Sequence, residues 1–441
     1  MSAPVTSSLP LGLPPLQFLL YGYATVLLVG FGLLCLPVSS VTAVGTLDHF
    51  FVATSALSTT GLSTIGVGQD YSFFGQLVVL VLIQIGGLGY MSLGSFIVLM
   101  RRRPLKGSHS ELLAYDFSLP QGFDLTNFVR KLVFFTVSAE AVGAVLLTVI
   151  FARRGVGDAV WAGVFHSISA FCTAGFSLFA DGFEGYRDHF GLNLVISALA
   201  ILGALGFIVA ADFFSRFGAR RTPLTFTSRI ILRFTAAGIL LGTVVLFVSD
   251  PVISDLPPER GLVAAFFQSM TAFTTVGFNT VSFAAITPAP LFVVIMLMIV
   301  GASPSGTGGG MKSTTFTALW AQLKSTLAGR EDVTYMRRVV PEHRVRAAVS
   351  NFFFYVLTVV VGIYALLLVQ DDDPFVVIFE AVSALGTVGL SLGLTGALTP
   401  MGKVIVCVMM FLGRVGPLSA GLVFFGKEGV EGELVEEDLA I

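Results

Sequence analysis

Four glycines, Gly61, Gly175, Gly277 and Gly389, each stand two residues after a threonine and two residues before a serine or asparagine. The surrounding stretches read FVATSALSTTGLS over 51–63, FHSISAFCTAGFS over 165–177, FQSMTAFTTVGFN over 267–279 and FEAVSALGTVGLS over 379–391. They share an opening Phe, a Ser or Thr four residues later, and then an Ala. One T-x-G means nothing, but four in register identify a structural unit used four times. The chemistry such a unit offers is backbone chemistry. Glycine admits conformations closed to other residues, so successive carbonyls can turn toward one axis. Four segments about a common axis would present rings of oxygen that replace the water around a monovalent cation. The candidate residues are Thr59, Thr60 and Gly61; Thr173, Ala174 and Gly175; Thr275, Val276 and Gly277; and Thr387, Val388 and Gly389.

No other set of reactive side chains competes. The five histidines are scattered, and Cys35, Cys172 and Cys407 lie in apolar stretches, so neither a metal site nor a disulfide framework is implied. Gly306 to Ser313, GTGGGMKS, looks like a phosphate loop. However, Met311 separates the last glycine from Lys312, and the required G-K-[ST] step is missing. No nucleophile–base pair is recognisable. The chain is therefore not expected to be an enzyme, to bind a cofactor or to bind nucleic acid.

The elements that must hold the four segments follow from composition. Of 441 residues, 55% are hydrophobic and 12% charged, whereas a soluble domain carries about 25% charged residues. Uncharged runs reach the ~20 residues that cross a bilayer. The expected class is an all-α integral membrane protein. Each repeat reads as a long apolar helix (16–36, 128–152, 230–249, 349–369), a short helix ending at the glycine, and a second apolar segment (76–100, 191–215, 290–320, 402–426). The short helix has only nine or ten helix-compatible residues. A re-entrant piece of that length is tolerated at membrane depth only when it is buried in protein or lines a water-filled path. Eight spanning helices around a pseudo-fourfold axis result. The repeats cover 16–100, 128–215, 230–323 and 349–426, and the cytoplasmic segments are 1–15, 101–127, 216–229, 324–348 and 427–441.

Charge orients the assembly. The stretches 101–131, 216–233 and 324–346 hold six, five and six Lys or Arg, which places both termini in the cytoplasm and the re-entrant hairpins outside. Acidic residues, Asp48, Asp70, Asp158, Asp181, Glu184, Asp188 and Asp250 among them, lean to the outer face. There they are expected to form a vestibule that concentrates cations. No cleavable signal peptide is expected, because the first fifteen residues lack Lys and Arg and contain Pro4, Pro10, Pro14 and Pro15.

The second apolar segments align at 85–89, 202–206, 300–304 and 412–416, and two departures stand out. In the third repeat the run Gly301, Ala302, Ser303, Pro304, Ser305, Gly306, Thr307, Gly308, Gly309 and Gly310 cannot be a stable helix. A polar break at mid-membrane should line a cavity, here beneath the carbonyl segments, with Ser303, Ser305 and Thr307 offering hydroxyls. In the fourth repeat Arg414 replaces the small residues Gly87, Ala204 and Ala302. A charge in a membrane helix is costly, and this one is expected to oppose cations, hold the loop shut or anchor its carbonyls. Lys312, at the end of the loop, is expected at the gate or snorkelling to the cytoplasmic face. Glu140 reads as a buried partner or a lipid-interface residue, and Asp212 as solvated.

The fourfold plan with T-x-G-[LF]-[SN] resembles the Trk/Ktr/HKT superfamily of potassium transporters over roughly 16–426, and within it the shorter KtrB-type subunits. The resemblance implies potassium uptake across the cell (inner) membrane through a gated, channel-like pore. Potassium would be the substrate held at the filter carbonyls, with sodium a candidate activator. In that family glycine in every repeat accompanies potassium selectivity, while a first-repeat serine marks sodium-selective plant members; this chain has Gly61. Thr60, Ala174, Val276 and Val388 differ, so the filter is expected to be less symmetric and less selective than a tetrameric channel's. The broken third-repeat helix resembles the family's intramembrane loop, which obstructs the pore and moves on opening. The implied partners are a second copy in a homodimer, a cytoplasmic ring of KtrA-type nucleotide-binding subunits, and membrane lipid. Arg101 to Arg103, Arg337 with Arg338, and the acidic tail from Glu431 to Asp438 are candidate docking segments. Two alternatives stay in view. One is a sodium-permeable or non-selective cation pathway. The other is an ion-coupled solute symporter, a class that places its site at inverted repeats, whereas these repeats share one orientation.

Overall fold

The computed structural model describes residues 15–89, 125–217, 223–304 and 306–416. The chain is mostly helical. Helix α1 (Pro15–Leu34) leads to the half-length α2 (Thr46–Leu57) and then α3 (Phe73–Leu88). The same order returns as α4 (Leu125–Arg153), α5 (Ala159–Phe171) and α6 (Phe190–Leu205), the last followed by α7 (Phe207–Phe217). It returns again as α8 (Phe226–Ser249), α9 (Pro258–Thr274) and α10 (Pro288–Ile299), followed after a break by α11 (Ser313–Leu327). The last set is α12 (Glu342–Leu367), α13 (Pro374–Leu385) and α14 (Pro400–Val415).

Three helices among the described residues are long and apolar enough to cross a membrane: 130–153 within α4, 226–249 and 342–367. A fourth crossing arises if α6 and α7 are one bent span. The expectation of an all-α chain needs a small correction. A two-stranded antiparallel hairpin pairs Thr334–Tyr335 with Arg338–Val339 before α12. Met336 and Arg337 form its turn with φ of 49° and 61°, as a two-residue hairpin turn requires.

The half-length helices α2, α5 and α13 have 12, 13 and 12 residues, or about 18–20 Å at 1.5 Å per residue, well short of a ~30 Å hydrocarbon core. α9 departs from the nine or ten expected residues and runs for 17. Pro258 at its first turn starts it early, because proline's fixed φ suits that position and its missing N–H is not needed there. The opening phenylalanines of the repeated stretch, Phe51, Phe165, Phe267 and Phe379, are all completely buried. They are the apolar anchors that hold each half-length helix in the core.

The second apolar segment was expected to break only in the third repeat. Among the described residues it is broken in the second repeat as well, and the helices of the first and fourth repeats end at the matching place. α3, α6 and α14 stop at Gly89, Gly206 and Gly416, whose φ values are 75°, 84° and 90°. α6 and α7 then meet at 95°. Glycine alone takes positive φ without a steric penalty, so a glycine three residues past each helix-packing glycine ends the helix there. The packing glycines are Gly86, Gly203 and Gly413. A Cβ at these positions would strike the backbone oxygen of Leu57, Phe171 and Leu385, in the last turn of each half-length helix.

Candidate functional site

Each half-length helix ends in the same way. The N–H groups of Thr60, Ala174, Val276 and Val388 donate to the carbonyls of Ser55, Ser169, Thr271 and Ser383, at 2.9, 2.8, 3.1 and 2.9 Å. This six-to-one bond is the signature of a Schellman cap, which needs a left-handed residue just past the helix. Glycine usually fills that place. Here it is Thr59, Thr173, Thr275 and Thr387, with φ of 53°, 52°, 58° and 47°. A β-branched residue at positive φ is strained, and such strain persists only where the surroundings over-determine it. The left-handed threonine and the backbone carbonyl four residues before it thus form one device. It turns the chain sharply as it leaves the helix.

The four turns converge. A Cβ on Gly61 would collide with the Ala174 carbonyl oxygen and lie 3.3 Å from Gly175 Cα. A Cβ on Gly175 would meet the Val276 oxygen and lie 3.0 Å from Gly277 Cα; one on Gly277 would meet the Val388 oxygen, 3.2 Å from Gly389 Cα. Gly389 closes the cycle against the Thr60 oxygen, 3.1 Å from Gly61 Cα. The glycines therefore form a closed ring in sequence order, with the carbonyl before each one packed against its neighbour. Their φ values of 95°, 66°, 83° and 89° exclude any other residue without strain.

Above the ring lies an open cavity of about 340 Å³, lined by Gly61, Gly175, Gly389, Ser63, Ser177, Ser391 and Thr395 among others, and by no carboxylate. The expected acidic vestibule is not built this way. Asp48 binds Thr64 and Lys403, Asp70 binds Thr42 and the Gly66 N–H, Asp158 caps α5, Asp188 pairs with Arg260, and Glu184 binds Asn279. Asp250 accepts from the Thr287 N–H and lies near its hydroxyl. These acids tie loops and cap helices; Asp250 is buried and Asp48 and Asp70 are half-buried, while Asp158, Glu184 and Asp188 are exposed.

Below the ring sits the Gly301–Gly310 segment, touching all four left-handed threonines. Thr59 Oγ1 lies 3.5 Å from the Thr307 carbonyl oxygen, and Thr173 Oγ1 lies 3.2 Å from Thr307 Oγ1. The Gly309 N–H donates to Thr275 Oγ1 at 3.0 Å. A Cβ on Gly309 would strike Thr387 Oγ1 and the Gly386 oxygen. The segment closes on itself through Ala302 N–H to Gly309 O (3.0 Å). It is held to the second repeat by Thr307 N–H to Gly203 O (3.1 Å) and Ser303 N–H to Ala204 O (3.2 Å). Gly306 packs beside Ala204, Gly308 beside Ala302, and Gly301 beside Gly310. Ser303 and Thr307 are both almost completely buried: Ser303 Oγ pairs with Ser313 Oγ at 3.3 Å, and the Thr307 hydroxyl donates to Phe171 O at 3.1 Å. Pro304 makes the turn between them, and Ser305 lies outside the described residues, as do Arg101–Arg103 and the acidic tail.

Two cations clamp the segment. Arg414 donates from Nη1 to the Thr307 carbonyl and from Nη2 to the Gly86 carbonyl, with Gly87 O at 3.4 Å. No carboxylate among the described residues forms an ion pair with it. Its contacts are to carbonyls of the loop and of the first repeat, which fit both anchoring the loop and holding it shut. Lys312 turns inward and donates to Gly308 O at 2.7 Å, so it does not snorkel to the cytoplasmic face. Glu140 is a buried partner: its Oε1 accepts from Gln84 Nε2 at 3.1 Å and lies near Cys172 Sγ, just before Thr173. Asp212 is not merely solvated, because it accepts from the N–H and hydroxyl of Thr225.

Sequence reasoning missed one set of residues. The position after each opening Phe is Val52, His166, Gln268 or Glu380. His166 Nδ1 lies 2.7 Å from Ala162 O, an acceptor only. Nε2 is therefore free to accept from the Leu178 N–H at 3.2 Å and from Ser177 Oγ at 3.0 Å. Gln268 donates to Val281 O at 2.7 Å and accepts from the Thr280 N–H. Glu380 accepts from Ser391 Oγ at 2.8 Å and from Thr395 Oγ1. The signal was there: three polar residues on an otherwise apolar face, eleven positions before a residue near the ring.

Comparison with known proteins places this architecture. Residues 31–429 match a family described as cation transport protein, TrkH. The chain is similar to Ktr system potassium uptake protein B of Bacillus subtilis, 33% identical over 92% of both chains. It is also similar to the protein of the same name from Vibrio alginolyticus, 33% identical over 91% of this chain and 90% of that one. Potassium/sodium uptake protein NtpJ of Enterococcus hirae is 31% identical over 92% of this chain and 91% of its own. The solved structure of the potassium transporter TrkH from Vibrio parahaemolyticus shares the fold, with a TM-score of 0.74 at 20% identity over 93% of this chain and 84% of that chain.

Proposed function

This chain belongs to the TrkH family of cation transport proteins, and from that premise we propose that it is the potassium-translocating subunit of a Ktr-type uptake system. The observation that carries the reading is the closed ring of Gly61, Gly175, Gly277 and Gly389 with its neighbouring carbonyls. A dehydrated cation on the axis would be held by backbone oxygen from Thr60, Ala174, Val276 and Val388, with no acidic group needed. The half-length helices direct their carbonyl ends toward it, adding partial negative charge. In this reading each repeat contributes two crossings, eight in all, both termini are cytoplasmic, and the protein sits in the inner membrane.

The Gly301–Gly310 segment is the gate. It lies against Thr59, Thr173, Thr275 and Thr387 and is held by Arg414 and Lys312. Opening requires those donors to let go, which gives a regulatory partner something to act on. The Ktr system names of two relatives support a system of several components; in this reading the regulator is a cytoplasmic KtrA-type subunit working on a homodimer. A second reading, in which sodium also passes, is favoured by the potassium/sodium name of the Enterococcus relative.

The deciding experiment is rubidium uptake into liposomes containing the purified chain, with potassium or sodium as competitor. Competition by potassium alone supports a selective ring. Equal competition supports the second reading. Flux that appears only with a cytoplasmic partner supports a segment shut at rest.

A further inference from the structure

We infer that Glu380, with its counterparts His166 and Gln268, is a positioning residue for the ring: it ties the chain just beyond Gly389 to its own half-length helix, and so sets how the ring discriminates between monovalent cations. The inference rests on the ring being an ion filter and adds residues that never touch the ion.

Glu380 is completely buried in α13. Its Oε2 accepts from Ser391 Oγ at 2.8 Å and its Oε1 accepts from Thr395 Oγ1. Both hydroxyls line the mouth cavity above the ring. Ser391 stands two residues past Gly389, and its oxygen also receives the Gly393 N–H at 3.0 Å. One carboxyl thus fixes the strand that leaves the ring. His166 does the same in the second repeat. It holds Ser177, two residues past Gly175, while Ser177 Oγ receives the Phe179 N–H at 3.0 Å. Gln268 holds Thr280 and Val281 beyond Gly277. This accounts for the serine that ends the second and fourth stretches; Asn279 instead donates to Glu184, and Ser63 donates to Ile65 O.

The helix itself does not need a polar residue there. Val52 fills the place in the first repeat and is completely buried. In that repeat Asp48, one turn earlier, takes over and accepts from Thr64 Oγ1 at 2.6 Å. Burying a carboxyl in an apolar wall is unfavourable unless its bonds are made, so three polar residues at an otherwise apolar position point to the tether as their purpose. The tethers also differ in chemistry: imidazole, amide and carboxyl. Each segment is then held in its own way, a source of asymmetry beyond the residues of the ring. Releasing one segment would let its carbonyl follow a smaller ion inward, which erodes discrimination based on oxygen placement.

The test compares the full chain with Glu380→Val, the residue of the first repeat, and Glu380→Gln, the amide of the third. The ratio of potassium to sodium competition against rubidium flux is read beside potassium-specific thermal stabilisation. Val is expected to lower both discrimination ratios about tenfold, the low end of what losing an outer hydrogen-bond partner costs an ion site. Gln keeps a donor–acceptor pair and should stay near the parent. If Glu380→Val does not fold, Ser391→Ala with Thr395→Val removes the same tether from the other side and is read in its place. Unchanged ratios in that variant, or lower yield and flux with the ratio preserved, overturn the inference and leave the ring reading intact. A parent without potassium preference in either measurement overturns both.

Discussion

Lys403 Nζ lies 2.6 Å from Asp48 Oδ1, an ion pair between residues 355 positions apart in sequence. It fastens the second helix of the fourth repeat to the half-length helix of the first. That is the seam where Gly389 meets Thr60 and the ring closes.

The seam should make stability depend on acid. Burial alone would raise Asp48, but hydrogen bonds from Lys403 and Thr64 and the Lys403 charge hold its carboxyl below the usual range. A carboxyl lowered in the folded state stabilises above its unfolded value of about 4, and that contribution is lost as pH falls through the lower folded value. Both side chains are mostly shielded, at 17% and 21% exposure, so the loss is about 1.5–3 kcal/mol, the range for bonds to charged groups. Thermal unfolding followed from pH 6 to pH 3 should show the midpoint falling with acid, and Asp48→Asn should start lower and flatten that segment of the curve. Parallel curves for the two proteins would contradict it.

Arg414→Ala should open the path. It removes the donors to Thr307 O and Gly86 O and no acid is left unpaired. Losing charge-assisted bonds of about 1.5–3 kcal/mol shifts a closed–open balance by roughly ten- to a hundredfold. Partner-free rubidium flux is the readout. Arg414→Lys should fall between, because an ammonium cannot reproduce the guanidinium fork. Lower flux in the alanine variant would mean that Arg414 supports the conducting state.

Gly309→Ala tests the seat of the loop from the other side. Its Cβ would strike Thr387 Oγ1 and the Gly386 oxygen, so the segment cannot rest against the fourth threonine. We expect increased basal flux with potassium preference retained, since the ring glycines are untouched. Pairing it with Thr387→Ser, which deletes only the methyl group, should not restore closure, because the hydroxyl and the Gly386 oxygen remain.

Ring glycines should behave differently from loop glycines. Gly277→Ala places a Cβ against the Val388 oxygen at φ 83°. Strain of about 1–3 kcal/mol at such a backbone is added to the steric contact, so discrimination and flux fall together. Competition assays on Gly277→Ala and Gly309→Ala should therefore move in opposite directions of flux. The same direction for both would merge ring and loop into one element.

Much of this was legible in the residues. The four T-x-G stretches, the membrane class and the long first helices follow from repetition and hydropathy, which are properties of local sequence. The third-repeat break was legible too, because glycine and proline forbid a helix wherever they cluster. The helix ends at Gly89, Gly206 and Gly416 were hidden, since a single glycine in an apolar run does not announce its φ.

What only the tertiary structure decided concerns side chains whose partners come from other repeats. Nothing near Arg414 in sequence indicates that it reaches Gly86 and Thr307, and Lys403 does not announce Asp48. Within its own repeat too, Glu380 looks like a stray acid in an apolar helix until Ser391 and Thr395 fold back onto it. Sequence determined that four equivalent turns exist, because each turn is built from neighbours along the chain. Their closure into a ring, and the position of the loop beneath it, depend on contacts between different repeats, and those exist only once the repeats have packed.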